Sequence, residues 1–481
     1  MTENERAMTP RCRAAIYCVC MSSVSISWNM AWLRREVFDG QLPTSVTLSA
    51  ARETTQPAGP HFLVPYLVFG PNNQLQALLE AATIATLSQR TLVLMPLHAH
   101  HSDKQRSVRF QDVFNITRFR AALPSGLASV EELPAQVRAA PIREVWLHDW
   151  WRCSLYWNAS TSQYGCRNSA HHFFDTELNH DLTHFFPGGV GGPPVRNDGK
   201  LAAARASAAT LASAFQGLED ELLSVLTYQF LSLSCWGFAS FERSVRADRM
   251  CQEKLGVMLR TLGGALVPAA WVLEHVDRFV ARLGGVRQYL SVHLRVSDAC
   301  WAQEARAPDL APNATLEAAA TFKECFYGVG IDAFVWSLHK ALACTNLPAA
   351  RIFAAGPPSV LPQYVAFLGA AFERRFGRAV QFQTLAQVAP DAEVSTLDSF
   401  TLSVIEQELV ARSSVVLHAA GKRSPKTWLR MPVLRQAGSL ATWDVSKGWF
   451  CAGGSCAWLD APKACRAWTS SGERDPHASP Y

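Results

Sequence analysis

The sequence predicts an α/β protein in two halves, each built on a parallel sheet, and three observations carry that prediction. Between Tyr66 and Leu94 an apolar strand, a Gly-Pro-Asn-Asn-Gln turn, an Ala/Leu-rich helix and a second apolar strand follow in succession. Beyond Gly285 a second strand–helix alternation runs to Gly421, and such β-α-β-α order favours parallel pairing with crossover helices. At 481 residues the chain has material for two or three domains. Its 49% apolar and 18% charged residues suit a globular protein. A net charge of +5 is too mild for the dense basic face of a nucleic-acid binder, so no nucleic-acid partner is expected, and a small anionic ligand stays open.

In chain order, residues 1–60 come first. Residues 14–33 have the length of a membrane span, with Arg11 and Arg13 before and Arg34 and Arg35 after, although five Ser/Asn residues dilute the hydropathy. They read as a single N-terminal signal-anchor with a polar stem behind it, or else as a buried or disordered leader. Residues 61–265 form the N-terminal half. It contains strands in LVLMPL and EVWLHDWW and a long insert at about 150–200, whose end, FFPGGVGGPPVRNDGK, reads as loop because clustered Gly and Pro suit neither helix nor strand. From Leu201 to about Leu283 apolar residues recur at three- and four-residue spacing, which predicts helices, LEDELLSVLTYQFLSL among them.

Residues 266–450 form the C-terminal half, with a strand in QYLSVHLRV, a helix over Leu316–Leu342, and strands in RIFAAG, AVQFQTL and VVLHAAG separated by further helices. Residues 451–481 make a Cys-, Trp- and Gly-rich tail, expected to be disulfide-tied. Of thirteen cysteines, Cys12, Cys18 and Cys20 lie near the N-terminus, and the remaining ten, Cys153 to Cys465, form an even set compatible with disulfides. Sequons at Asn115, Asn158 and Asn313 are glycosylation candidates and point the same way, to the secretory pathway in the endoplasmic reticulum or Golgi lumen.

Paired α/β halves bind ligands in the cleft beyond their strand ends. The turn Gly70-Pro71-Asn72-Asn73-Gln74 sits at such an end, where helix-start N–H groups suit an anion. In Ser291–Asp298, strand alternation puts His293 and Arg295 on one face, and Asp298 opens the next loop. The fork of Arg295 suits a diphosphate, with His293 adding a hydrogen bond and Asp298 orienting the pair; a plain strand-end salt bridge is the alternative. A third segment ends in Gly421-Lys422-Arg423-Ser424, whose logic is that of a phosphate-facing loop. Glu406, in the helix before it, is placed to accept from a base edge or ribose; a solvated basic turn is the alternative there. The cluster His171, His172, Asp175, His180, Asp181 and His184 includes an i, i+4 histidine pair. It reads as surface loop or acceptor-side wall, as His98, His100 and His101 read as polar loop, and no metal site is expected.

Together these segments resemble one family. GPNNQ followed by ALLEAATIATLSQRTLVLMP is similar to the N-terminal signature of the GDP-fucose protein O-fucosyltransferases and their plant-type relatives. VRFQDVFNITRFRAALPSGLASVEELP resembles that family's next segment, VHLRVSD its H-L-R-x-x-D motif, and LSVIEQELVARSSVVLHAAGKRS its last signature. The four keep family order across most of residues 61–435. The resemblance implies a GT-B-like fold of two Rossmann-like domains facing a cleft, and an inverting glycosyltransferase with GDP-fucose as donor, a protein or glycan hydroxyl as acceptor, and no obligatory cofactor. It also implies that Arg295 stabilises the departing diphosphate as the catalytic residue. His293, Asp298, Glu406, Gly421, Lys422, Arg423 and Ser424 would line the donor, and Gly70, Asn72, Asn73 and Gln74 would close over sugar and acceptor. The chain departs from the pattern at Val296 and Ser297, where many members carry Arg and Gly, and at Lys422 and Arg423, where hydroxyl residues are usual. The turn offers no carboxylate as general base, Glu80 lying about two helical turns on. A degenerate member that binds nucleotide sugar or a partner protein without transfer is the alternative.

Overall fold

The computed structural model describes residues 61–98 apart from 68 and 69, 107–146, short pieces between 155 and 226, 254–295, and most of 322–418 and 441–458. The predicted anchor at 14–33 lies outside the described residues. Among those described, no helix is long and apolar enough to cross a membrane.

The first sheet contains β1 (Phe62–Pro65), β2 (Thr91–Leu94), β3 (Leu127–Ser129), β4 (Arg143–Trp146), β5 (Val195–Arg196) and β6 (Leu222–Leu226). They lie in the order β3-β2-β1-β6-β4-β5 with every pairing parallel. The first strand starts earlier than predicted, and Tyr66 and Leu67 lie beyond its end. Two expectations fail. LEDELLSVLTYQFLSL does not begin a helix: its LLSVL is β6, in the middle of the sheet between β1 and β4. A short apolar run fits a strand buried on both faces as well as a helix, and long-range pairing decides between them. Within the predicted loop at 185–200, Val195 and Arg196 form β5, an edge strand short enough to fit between flanking Gly and Pro. Elsewhere in the insert, Leu155–Asn158 pairs antiparallel with Gln163–Cys166.

Helix α1 (Pro71–Ser88) crosses from β1 to β2. It starts where Pro is tolerated, at N1, since the missing N–H has no helical acceptor there. It is buried almost throughout from Pro71 to Ala85, so it is a core element rather than a surface one. Two polar groups on it are internally satisfied: Gln76 Nε2 donates to Glu80 Oε1 at 3.0 Å, with both side chains fully buried.

Helices α2 (Lys254–Ala265) and α3 (Ala270–Arg282) lead to the second sheet. The link between them is stitched to the first half, with Asn115 N–H donating to Val267 O and Ala269 N–H to Val113 O. The second sheet holds β7 (Leu290–His293), β8 (Arg351–Ala355), β9 (Gln381–Gln383), β10 (Val416–His418), β11 (Thr442–Asp444), β12 (Trp449–Ala452) and β13 (Ser455–Trp458). Its order is β9-β8-β7-β10-β11-β12-β13, parallel up to β11. The antiparallel hairpin β12–β13, with Cys451 opposite Cys456, extends it into the region predicted as tail. The parallel part is the Rossmann order, three strands counted outward one way and then two the other.

The crossover helices are α4 (Ile331–Thr345), α5 (Leu361–Phe376) and α6 (Ser399–Ala411). The helix predicted over Leu316–Leu342 is not continuous, since Val329 and Gly330 are non-helical before α4 begins. Cys325 and Cys344 are both disulfide-bonded.

The two faces of β7 look toward two different cores. Leu290 and Val292, with Leu417 and Trp443, pack with α4 and α5 in a core of the second half alone. On the other face, Tyr289, Phe353, Ala355 and Val416 join α3 and α6 in a core that continues through α1 and α2 to Leu63 and Leu223 of the first sheet. Replacing Leu223, fully buried there, with Ala should lower unfolding free energy by about 2–5 kcal/mol, measured as a shift in denaturant midpoint; a change within error would contradict a core position for β6.

Candidate functional site

In open parallel sheets, ligands bind beyond the carboxyl ends of strands where the strand order reverses, because the crossover helices diverge to opposite faces and leave a crevice. The first sheet reverses between β1 and β6 and the second between β7 and β10. The chain leaving β1 reaches the Gly70–Gln74 turn; β7 ends in His293 followed by Arg295, and β10 ends in His418.

At the first reversal, Gly70 is the N-cap of α1, and its carbonyl already accepts from Asn73 and Gln74 N–H. The three polar side chains of the turn have different surroundings. Gln74 is fully buried, its Nε2 donating to His98 O at 2.9 Å and its Oε1 accepting from His98 N–H at 2.8 Å. The amide thereby pins the Leu97–His98 strand. Asn72, partly buried, accepts a hydrogen bond at Oδ1 from Gln407 Nε2 of α6. Asn73 stays partly exposed.

Gln407 is the neighbour of Glu406, so the turn and the predicted donor carboxylate are tied through adjacent residues of one helix. Helix α6 starts at Asp398, whose Oδ1 accepts from Thr401 N–H at 2.8 Å and Oδ2 from Thr401 Oγ1 at 2.7 Å, an N-cap that satisfies a first-turn donor. Glu406 is partly exposed. Burial raises its pKa from 4.5 to about 8, so near neutrality the carboxyl is largely protonated and can donate as well as accept.

At the second reversal, His293 and Arg295 are each partly exposed. Burial, then the charge of Arg295, then that of His418, lower the His293 pKa to about 3, so the imidazole is neutral. His418 is 5% exposed and pairs in register with His293 across the parallel ladder. The strand ends close tightly here: Leu294 N–H donates to Ala355 O at 2.9 Å, and a Cβ on Gly356 would stand 2.7 Å from Leu294 O.

Asp298, Gly421, Lys422, Arg423 and Ser424 lie outside the described residues, as do His100, His101, His171, His172, Asp175, His180, Asp181 and Asn313. His184 is exposed with its ring edge-on to Phe185. Asn115 is exposed and caps a short helix, its Oδ1 accepting from Arg118 N–H; Asn158 ends a strand. Glu80 is closed off in its pairing with Gln76. The sequence did not single out Gln407 and His418: a glutamine beside the chosen glutamate and a histidine in an apolar strand come next to the predicted site residues only through packing and register.

The raised Glu406 pKa has a definite sign in stability. A folded-state pKa above the unfolded value stabilises fully below about pH 4.5, and that contribution is lost as pH rises through about 8. Glu406→Gln should therefore melt near the wild-type temperature at about pH 4.5 and above it at about pH 9. Parallel melting curves for the two proteins across that range would refute a desolvated Glu406.

Residues 66–310, just over half the sequence, match the family described as GDP-fucose protein O-fucosyltransferase. No protein of curated function matches the sequence. Among solved structures, POFUT1 in complex with GDP-fucose is similar at 14% identity over 80% of this chain and 97% of that one, with a TM-score of 0.46. The apo form of POFUT1 is similar at 14% identity over 80% and 96%, with a TM-score of 0.45. Fucosyltransferase NodZ from Bradyrhizobium is similar at 15% identity over 84% and 100%, with a TM-score of 0.39. Scores at that level add no weight to the topology described above. The sequence match spans both the Gly70–Gln74 turn and the His293–Arg295 strand end, and on it the chain belongs to the GDP-fucose protein O-fucosyltransferase family.

Proposed function

We propose that this chain transfers fucose from GDP-fucose to a hydroxyl of a protein or glycan, with inversion at the anomeric carbon and without an obligatory metal. The observation that carries the reading is Arg295, a fixed cation just past the strand end at the reversal of the second sheet, in a chain of this family. In the proposed step the acceptor hydroxyl oxygen bonds to fucose C1 from the face opposite the diphosphate. The bond from C1 to the β-phosphate oxygen breaks, GDP departs with the electron pair, and the hydroxyl proton passes to solvent or a base. Negative charge grows on the diphosphate, where a pre-placed guanidinium stabilises it most. Glu406, largely protonated, suits hydrogen bonding to the nucleoside, and Asn73, partly exposed at the first turn of α1, suits contact with sugar or acceptor.

Lumenal residence in the endoplasmic reticulum or Golgi, with an N-terminal anchor, fits two observations. Cys325 and Cys344 are disulfide-bonded, and the Asn115 sequon is exposed with its amide nitrogen free of the capping bond. A second reading, donor binding without transfer, is favoured by Glu80: the carboxylate nearest the turn along α1 is buried against Gln76 and cannot act as base.

Arg295→Ala should reduce transfer and donor hydrolysis on the order of 100- to 1,000-fold, the scale for losing one oxyanion-type donor, with little change in melting temperature. Arg295→Lys should recover part of the loss. Near-normal turnover in Arg295→Ala would defeat the assignment, whereas GDP-fucose binding without turnover in the wild type would favour the second reading.

A further inference from the structure

His418 stands apart from the residues the family resemblance nominates, yet it occupies the more telling position. His293 and His418 are register partners on β7 and β10, the two strands that flank the reversal of the second sheet. Partners in a parallel ladder share a face, and neighbouring strands run about 4.8 Å apart, so the two imidazoles rise side by side. Their face is the one shared with Val416 and Phe353, covered by α6, while Val292 and Leu417 between them turn to the opposite core. They are close enough for charge on His418 to lower the proton affinity of His293. One step back on the same face, the buried Ser291 hydroxyl has no hydrogen-bond partner among the described residues. Two steps ahead of His293 comes Arg295. An apolar row would suit such a sheet face, yet two histidines stand at the strand ends of the reversal with Arg295 following, a polar set of the kind that meets an anionic ligand there.

We propose that His418 forms with His293 a paired-imidazole seat for the diphosphate group of the donor, His418 being a binding residue of that seat. This deepens the proposed function and rests on it for the identity of the donor. Each imidazole presents one N–H to a phosphate oxygen, and the pair extends anion contact from Arg295 across the strand reversal onto β10. The guanosine end of the ligand lies outside this seat.

The experiment measures equilibrium binding of GDP, guanosine and inorganic pyrophosphate to the full chain and to His418→Ala, His418→Gln and His418→Phe. Loss of a hydrogen bond to a charged group corresponds to roughly tenfold or more in affinity. GDP and pyrophosphate should therefore bind at least about tenfold more weakly to the Ala and Phe variants, with guanosine within about twofold of wild type. His418→Gln, which keeps an N–H donor, should recover part of the affinity. GDP binding to all three variants within twofold of wild type would overturn the seat. So would an equal loss for guanosine and GDP, which would mark a collapsed site. If the wild type binds pyrophosphate in a His418-dependent way but not GDP, the seat stands and the donor assignment falls; if it binds neither, both fall.

Discussion

The shared apolar core between the two sheets is the constraint on which the rest depends. Each Rossmann-like sheet by itself would offer only half a crevice. What joins them is burial: α1 and α2 from one side and α3 and α6 from the other contribute to a single core reaching from Leu63 to Val416. Burial of apolar surface is non-directional and fixes proximity but not register. Register comes from the directional contacts laid over it, among them the backbone bonds from Asn115 to Val267 and from Ala269 to Val113, and the side-chain bond from Gln407 to Asn72. That last contact joins the first turn of α1 to the residue after Glu406, so the first reversal is tied directly to α6.

Within that frame the site works by contrast in charge. Burial holds His293 unprotonated and Glu406 protonated near neutrality, and the guanidinium of Arg295 lies close enough to His293 to oppose its protonation further. Desolvation is the largest cause of both shifts. Among the described residues, the strand ends at the second reversal thus carry the Arg295 guanidinium beside neutral hydrogen-bonding groups, and electrostatic attraction in such surroundings is stronger than in bulk water.

Much of this was legible in the sequence, for reasons that can be named. The parallel architecture followed from strands and helices in strict alternation, whereas β7 ends at His293, so the two-residue period of the strand does not reach Arg295. LLSVL could not be assigned by periodicity, because a strand buried on both faces shows none; it needed β1 and β4 on either side. Val195 and Arg196 were hidden by their Gly/Pro neighbours for a similar reason. Of the Gly70–Gln74 turn, the sequence showed a polar cluster but not how its members divide, with Gln74 committed to His98 and Asn72 to Gln407. His418 was invisible because a lone histidine in VVLHAAG gives no sign of which residue stands across the ladder.

The alternation of cores along β7 has an effect on how sequence change is tolerated. Positions 290 and 292 belong to a core private to the second half, whereas 289, 291 and 293 look toward the shared core and the crevice. Drift at the first set is absorbed by repacking against α4 and α5, with no consequence for chemistry beyond the loss of stability. Drift at the second set reaches both halves at once, because their packing meets on that face. Neighbouring positions of one strand are thus held to different standards, and the stricter one falls on the residues that face the other half.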